Sequence, residues 1–340
     1  MIFVTGGTGL LGSHLLVELS KRQFNIRALK RQSSDLTEVK MLFKFYLNDS
    51  DLSIFNKIEW VDGDINDTTT LPYLIDGCST VYHCAGFVSF AKKDFKKLLQ
   101  INKNGTANIV NSCLKLGVKN LSYVSSTAAI GRDTKQGIIT ENNKWVNSKS
   151  NSNYAVSKYL GEMEVWRGKE EGLNVSIVNP SVILGAGNWN DSSLALFKTI
   201  NKGLKFYPTG TNAFVDARDV AFCMVELIQN KVFGERFLTI SENIKFKDLF
   251  DLIANELNVI PPAIQVKSWM TGIAWRLEAV KCFFTRQTPQ ITKETAASAM
   301  QINLYSNQKI KDKLGLSFIS IKDSIKNAID YHQFKKLNKK

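Results

Sequence analysis

Met1-Ile2-Phe3-Val4-Thr5-Gly6-Gly7-Thr8-Gly9-Leu10-Leu11-Gly12 opens the chain and decides how the rest is read. Ile2–Thr5 is a short apolar run that predicts a strand. Gly6, Gly9 and Gly12 follow three apart, and from Gly12 to Ser20 the leucines Leu15, Leu16 and Leu19 fall at helical spacing. A strand that turns through such glycines into a helix is the setting in which this spacing holds a dinucleotide pyrophosphate. Gly6 permits the tight turn, Gly9 lets backbone approach the phosphates, and Gly12 allows the helix to pack closely. The helix start adds unpaired N–H groups and partial positive charge, so Thr8, Leu10 and Leu11 join the glycines as cofactor-binding residues.

Outward from that turn, strands and helices alternate. Ile26–Leu29, Ile58–Val61, Thr80–Cys84, Leu121–Ser125 and Asn174–Val178 read as further strands, with helical patterns over 94–115 and Tyr154–Glu170. Such alternation predicts an α/β fold, a doubly wound parallel sheet of the Rossmann kind. Beyond residue 180 the alternation loosens. Val220–Gln229 and Phe246–Leu257 read as amphipathic helices, Arg236–Ile240 as a late strand rejoining the sheet, and 263–332 as mostly helical after the break at Pro261-Pro262. The expected division is a dinucleotide-binding domain over 1–180, with the late strand near 235–240 returning to it, and a smaller, mostly helical substrate-binding lobe over 181–335. The site lies in the cleft between them.

The 340 residues, 44% hydrophobic and 22% charged, are enough for a large core and exclude a disordered chain. Five cysteines (Cys78, Cys84, Cys113, Cys223, Cys282) never stand as CxxC, which predicts reduced thiols in a cytoplasmic protein. Three dispersed histidines predict no metal centre. The net charge of +13 comes from lysines spread along the chain, with one dense run at 335–340, so it favours a phosphorylated cofactor or acidic substrate, an anionic membrane or plain solubility over nucleic acid. No signal peptide precedes the first strand. Trp269, Ile273, Leu277, Val280 and Phe284 recur at helical spacing among Lys267, Arg276, Lys281 and Arg286. A helix over 269–285 of this composition is either a lid on the C-terminal lobe or a peripheral membrane contact.

Chemistry is carried by Tyr154-Ala155-Val156-Ser157-Lys158. Spaced i and i+4, the tyrosine and lysine share one helix face. A free phenol titrates near ~10, and the reading here is that the adjacent ammonium lowers it until the hydroxyl exchanges a proton at neutral pH. Tyr123-Val124-Ser125-Ser126-Thr127 supplies hydroxyls at the end of strand five, on the sheet edge where ligands bind. Cofactor choice is read after strand two, in Arg27-Ala28-Leu29-Lys30-Arg31-Gln32-Ser33-Ser34, which has no carboxylate before Asp35. Arg31 is placed to meet a 2′-phosphate, so NADP(H) is favoured, with NAD(H) the alternative. Asp64 and Ile65 after strand three are expected at the adenine edge, and Ala85 and Gly86 after strand four against the cofactor. His83 is read as a structural, hydrogen-bonded residue. Phe87, Ser89, Trp189, Phe206 and Tyr207 are expected to line an aromatic pocket.

With these pieces in hand, the chain resembles an extended short-chain dehydrogenase/reductase of the NAD-dependent epimerase/dehydratase superfamily. The matching stretches are TGGTGLLG, GDI at 63–65, HCAG at 83–86, INKNGT at 101–106, YVSSTAAIG at 123–131, YAVSK at 154–158 and FVDARDVA at 214–221. The resemblance implies Ser126 as catalytic serine, Tyr154 as acid/base, Lys158 as its partner and Asn102 as a site-supporting asparagine, with Pro180 and Ser181 beside the nicotinamide. Nucleotide-sugar epimerases of this kind carry a proline four residues before the tyrosine and an RxxNVYGP segment. Here Ser150 stands at the first place, and Val182 and Ala186 replace the asparagine and proline of the second. Those departures are closer to dihydroflavonol-4-reductase and cinnamoyl-CoA-reductase-like members. They imply an NADP(H)-dependent reductase of a ketone or aldehyde, and the family resemblance implies a homodimer. An NAD-dependent nucleotide-sugar epimerase or dehydratase is the alternative, and a non-catalytic nucleotide sensor a third reading disfavoured by the complete triad.

Overall fold

Seven short strands stand side by side at the centre of the computed structural model, which describes residues 1–132, 137–267, 269, 270, 272, 275, 276 and 292–338. The first half runs β1 (Ile2–Thr5), α1 (Leu10–Lys21), β2 (Ile26–Lys30), α2 (Thr37–Leu47), β3 (Glu59–Asp62), α3 (Leu71–Ile75) and β4 (Thr80–His83). Then come α4 (Phe95–Leu98), a π-helical segment Leu99–Gly105, α5 (Thr106–Leu116), β5 (Asn120–Val124), β6 (Ile138–Ile139) and α6 (Asn153–Glu170). The rest follows as β7 (Asn174–Pro180), β8 (Val182–Leu184), α7 (Ala195–Asn201), β9 (Phe206–Tyr207) and β10 (Thr211–Asp216). After these stand α8 (Ala217–Gln229), β11 (Glu235–Thr239), β12 (Glu242–Lys245) and α9 (Phe246–Glu256). Helices Lys293–Ser298, Gln308–Leu314 and Ile321–Leu337 make the described C-terminal part mostly helical.

The large sheet has the order β11-β7-β5-β4-β1-β2-β3, and every pairing in it is parallel. Chain order reverses between β1 and β4, the switch point where doubly wound sheets open a crevice for ligands. Alternation of side chains explains the two layers around it. Ile2 and Val4 face α1, α2 and α8, packing with Leu15, Leu16, Val39, Leu42, Val220 and Met224. Phe3 faces the other way, with Val81, Leu121 and Ile177, onto Ile75, Ile109 and Val165 of α3, α5 and α6. Each buried Leu or Val of these layers contributes about 1.5–3 kcal/mol relative to exposure.

A small sheet, β12-β10-β8, carries the second lobe, with β10 parallel to β8 and antiparallel to β12. Neither that sheet nor α2 was anticipated from the pattern of residues. Its core gathers Leu184, Phe197, Phe214, Leu249, Ile253, Ile325 and Ile329. Trp189, expected in a pocket, is buried here between the rings of Phe197 and His332. Phe206 is exposed on β9, whose partner is the short strand Ile264–Gln265, so these two aromatics do not line one pocket.

His83 is fully buried, with Nδ1 2.7 Å from Thr5 Oγ1 and Nε2 3.0 Å from Thr106 Oγ1. Burial pushes its imidazole down to about 3, so it is a neutral tie between β1, β4 and α5. Cys78, Cys84, Cys113 and Cys223 are free thiols, and Cys282 lies outside the described residues. Of the predicted helix over 269–285, Ile273, Leu277, Val280, Lys281 and Phe284 lie outside the described residues, as does the flanking Arg286. Among the described residues no helix is long and apolar enough to cross a membrane.

Candidate active site

The glycine turn sits at the switch point. Gly6 has φ +70°, and a Cβ on it would lie 2.6 Å from the Ala85 nitrogen, so only glycine fits where the loops after β1 and β4 cross. A Cβ on Gly12 would meet the Gly6 carbonyl oxygen at 2.1 Å, which is the close helix packing the motif demands. Gly9 precedes α1 and gives its first turn no side-chain cap, and a Cβ there would meet nothing nearer than Gly6 O at 3.4 Å. An uncapped helix start with an open glycine is a cradle for an anion. The Leu11 side chain is buried in the core and Leu10 reaches toward the second lobe, so backbone forms the cradle at both.

At the opposite end of that crevice, Ser181 Oγ is buried without a hydrogen-bond partner just after Pro180 ends β7. A glycine cradle and an orphaned hydroxyl, both at carboxyl ends of strands, fit a dinucleotide that spans the switch point. After β2, Lys30 is paired with Asp62, and the Asp35 carboxylate accepts from Thr37 N at 2.8 Å. Arg31 is exposed, and among the described residues no carboxylate pairs with it. Asp64 is occupied by Asn66 N at 2.8 Å, while the Ile65 side chain is buried beneath the π segment, 2.5 Å from where a Cβ on Gly105 would stand. Ala85 N donates to Thr5 Oγ1 at 3.2 Å, and Gly86 borders the Asn102 amide.

Tyr154 is the second residue of α6, whose start is capped by Ser152 Oγ accepting from Ala155 N at 3.0 Å. The Phe90 ring meets the Tyr154 ring edge-on at 5.6 Å, tying the loop after β4 to it. Burial pushes the phenol above its ordinary value, and hydrogen bonding with Ser126 opposes that rise. Ser126 is the second residue after β5, next to Ser125, and its Oγ also accepts from Ala128 N at 3.1 Å.

Lys158 corrects one expectation. Its Nζ donates to Val124 O at 2.7 Å and to Tyr123 Oη at 3.1 Å, and stands 4.7 Å from the Tyr123 ring centre. The ammonium is thus held by β5, and the phenol of Tyr154 is raised rather than lowered. Burial pushes Lys158 itself down to about 8, partly countered by Glu162. Asn102 lies in the π segment, fully enclosed: Oδ1 accepts from Phe87 N at 2.7 Å, and Nδ2 donates to Phe87 O and Ser157 Oγ, each at 2.9 Å. It braces the loop after β4 against α6 and supports the site without facing its crevice. A separate cavity of about 350 Å³ lies at the amino ends of β1 and β4, remote from the crevice and lined by Gln23, Asn25, Thr80 and Tyr82 among others.

A model of the NAD-dependent epimerase/dehydratase family matches residues 2–239. The chain belongs to that family. Like its relatives, this epimerase/dehydratase-family chain is an NAD(P)-dependent enzyme of the extended short-chain dehydrogenase/reductase type. It is 29% identical, over 97% of its length and 94% of the relative's, to a Synechocystis sp. protein provisionally named dihydroflavonol 4-reductase. Cinnamoyl-CoA reductase 1 of Oryza sativa subsp. japonica is 24% identical over 97% of this chain and 89% of that one. The crystal structure of gox2253 superposes with a TM-score of 0.79 at 27% identity, covering 98% of both chains.

Sequence reasoning passed over several polar residues of this family member's site: Glu162, Asn179 and Ser157. Glu162 carried a readable signal, because Tyr154, Lys158 and Glu162 repeat every four residues on one face of α6.

Proposed function

We propose that this chain is an NADP(H)-dependent reductase of a ketone or aldehyde. The observation that carries the reading is the Tyr154 phenol, set beside Ser126 at the carboxyl end of β5 and pushed by burial further from ionisation than a free phenol. A protonated phenol is an acid, able to give its proton to a carbonyl oxygen as that oxygen gains charge. Gly6, Gly9, Gly12 and the start of α1 would hold the cofactor pyrophosphate, and Ser181 would meet its nicotinamide end. Bound reduced cofactor supplies the hydride. Ser126 orients the carbonyl, Tyr154 protonates it, and Lys158, on the same helix face, stabilises the phenolate left behind. Choice of NADP(H) is supported by Arg31, the cation after β2 that no carboxylate among the described residues neutralises, whereas Lys30 is already paired.

The test mixes the purified chain with NADPH and a panel of carbonyl compounds. Tyr154→Phe should lower turnover by about 10²–10⁴-fold while leaving cofactor binding in place. Undiminished turnover in that variant would remove Tyr154 as the proton donor. A wild-type chain that retains NAD tightly and consumes none would instead mark an epimerase or dehydratase.

A further inference from the structure

Glu162 is fully buried one helical turn beyond Lys158, in a place where an isolated carboxylate would be very costly. Every side of it is occupied. Oε2 accepts from Ser125 Oγ at 2.6 Å and from Asn179 Nδ2 at 2.8 Å. Oε1 accepts from Arg236 Nη1 at 3.0 Å and from Trp166 Nε1 at 3.2 Å. Arg236 is in turn held by the carbonyls of Glu141 and Asn143. The same Asn179 amide also donates to the Ser126 carbonyl at 3.1 Å, so one carboxylate ties the carboxyl ends of β5 and β7, beside the serine of the site, to the start of β11.

We propose that Glu162 is the positioning residue of this site: it holds the strand ends that present Ser126, and it supplies the negative charge that keeps Lys158 an ammonium. This rests on the reading of Ser126 and Lys158 given above. The other ionisable groups around Lys158 are uncharged at neutral pH. At the end of β4 and just after it, burial holds His83 down at about 3 and the Cys84 thiol up at about 12. From β5, the Tyr123 phenol is pushed up, as is Tyr154 on α6 itself. Arg236, from β11, faces the far oxygen of Glu162 and competes with Lys158 for its charge.

That arrangement makes a prediction of opposite sign for two variants. Competitive acetylation with trace labelled acetic anhydride across a pH series, read peptide by peptide by mass spectrometry, gives the titration midpoint of Lys158 in the whole chain without cofactor or substrate. Glu162→Gln should move the midpoint down by about one pH unit or more, the effect of losing one close opposite charge. Arg236→Gln should move it up, because the carboxylate is released to Lys158 and a nearby cation is gone. An unmoved midpoint in a cooperatively melting E162Q overturns the proposal. If E162Q does not fold, R236Q decides, and a fixed or lowered midpoint there overturns it. Because the labelling needs no turnover, a chain that oxidises no reduced cofactor would sink the reductase reading and leave this result to be judged separately.

Discussion

Burial acts on Tyr154 and Lys158 in opposite senses, raising the phenol and lowering the ammonium, and so brings both toward their neutral forms. For a proton donor that is useful, since a low-dielectric setting strengthens every field the charged intermediate meets. In the proposed reading, coenzyme preference turns on Arg31. Arg31→Ala should weaken NADPH binding about 10–100-fold, the value of one or two charge-assisted bonds to a phosphate, and leave NADH binding unchanged. Nicotinamide fluorescence titrations check this, and an equal loss for both coenzymes would show that Arg31 does not discriminate. The spacing of Tyr154 and Lys158 was enough to place both on one face of α6. It was not enough to say where a four-carbon side chain ends, because the carbonyl of Val124 that captures it belongs to a strand distant in sequence. Glu162 was hidden for a related reason: a helical glutamate is normally solvated, and only the fold shows the arginine that makes its burial tolerable.

Among elements, the π segment Leu99–Gly105 is the least expected, and its cause is tertiary. Asn102 is seized by Phe87 and Ser157, and the backbone at Asn102 presses on α6 where Gly161 leaves room: a Cβ there would stand 2.2 Å from Asn102 O. Widened helical turns of this sort recur at functional sites. Gly161→Ala should therefore destabilise the chain by about 1–3 kcal/mol through overpacking, lowering the melting temperature by a few degrees. An unchanged melting curve would show that α6 and the π segment can separate at little cost. Periodicity could predict one long helix over 94–115, since its apolar rhythm persists, but carries no mark of an inserted residue. The parallel strands were legible because, buried on both faces, they read as near-continuous apolar runs. β8 and β12 escaped notice because they are short and only partly buried.

Over the whole molecule, the lobes meet at the start of α8. Asp216, buried, caps that helix and binds Arg218 in a two-pronged pair at 2.9 and 2.7 Å. Asp219 accepts from Ile319 N at 2.9 Å just ahead of helix Ile321–Leu337, and burial pushes its carboxyl up to about 7. A folded-state value above the unfolded one means that the native chain holds the proton longer. The stabilisation is complete in acid and disappears as pH rises through about 7. Asp219→Asn should gain on the wild type by a few degrees in melting temperature as pH goes from 5 to 7. A constant difference across that range would show that Asp219 ionises normally.

The polypeptide leaves the large sheet after β7, builds β8 and β10, returns as β11 against β7, and departs again through β12. Its two halves are stitched through each other rather than strung in series. Melting one should strip the edge strand from the other, so calorimetry of the intact chain should record a single endotherm, with two separate peaks as the contrary result.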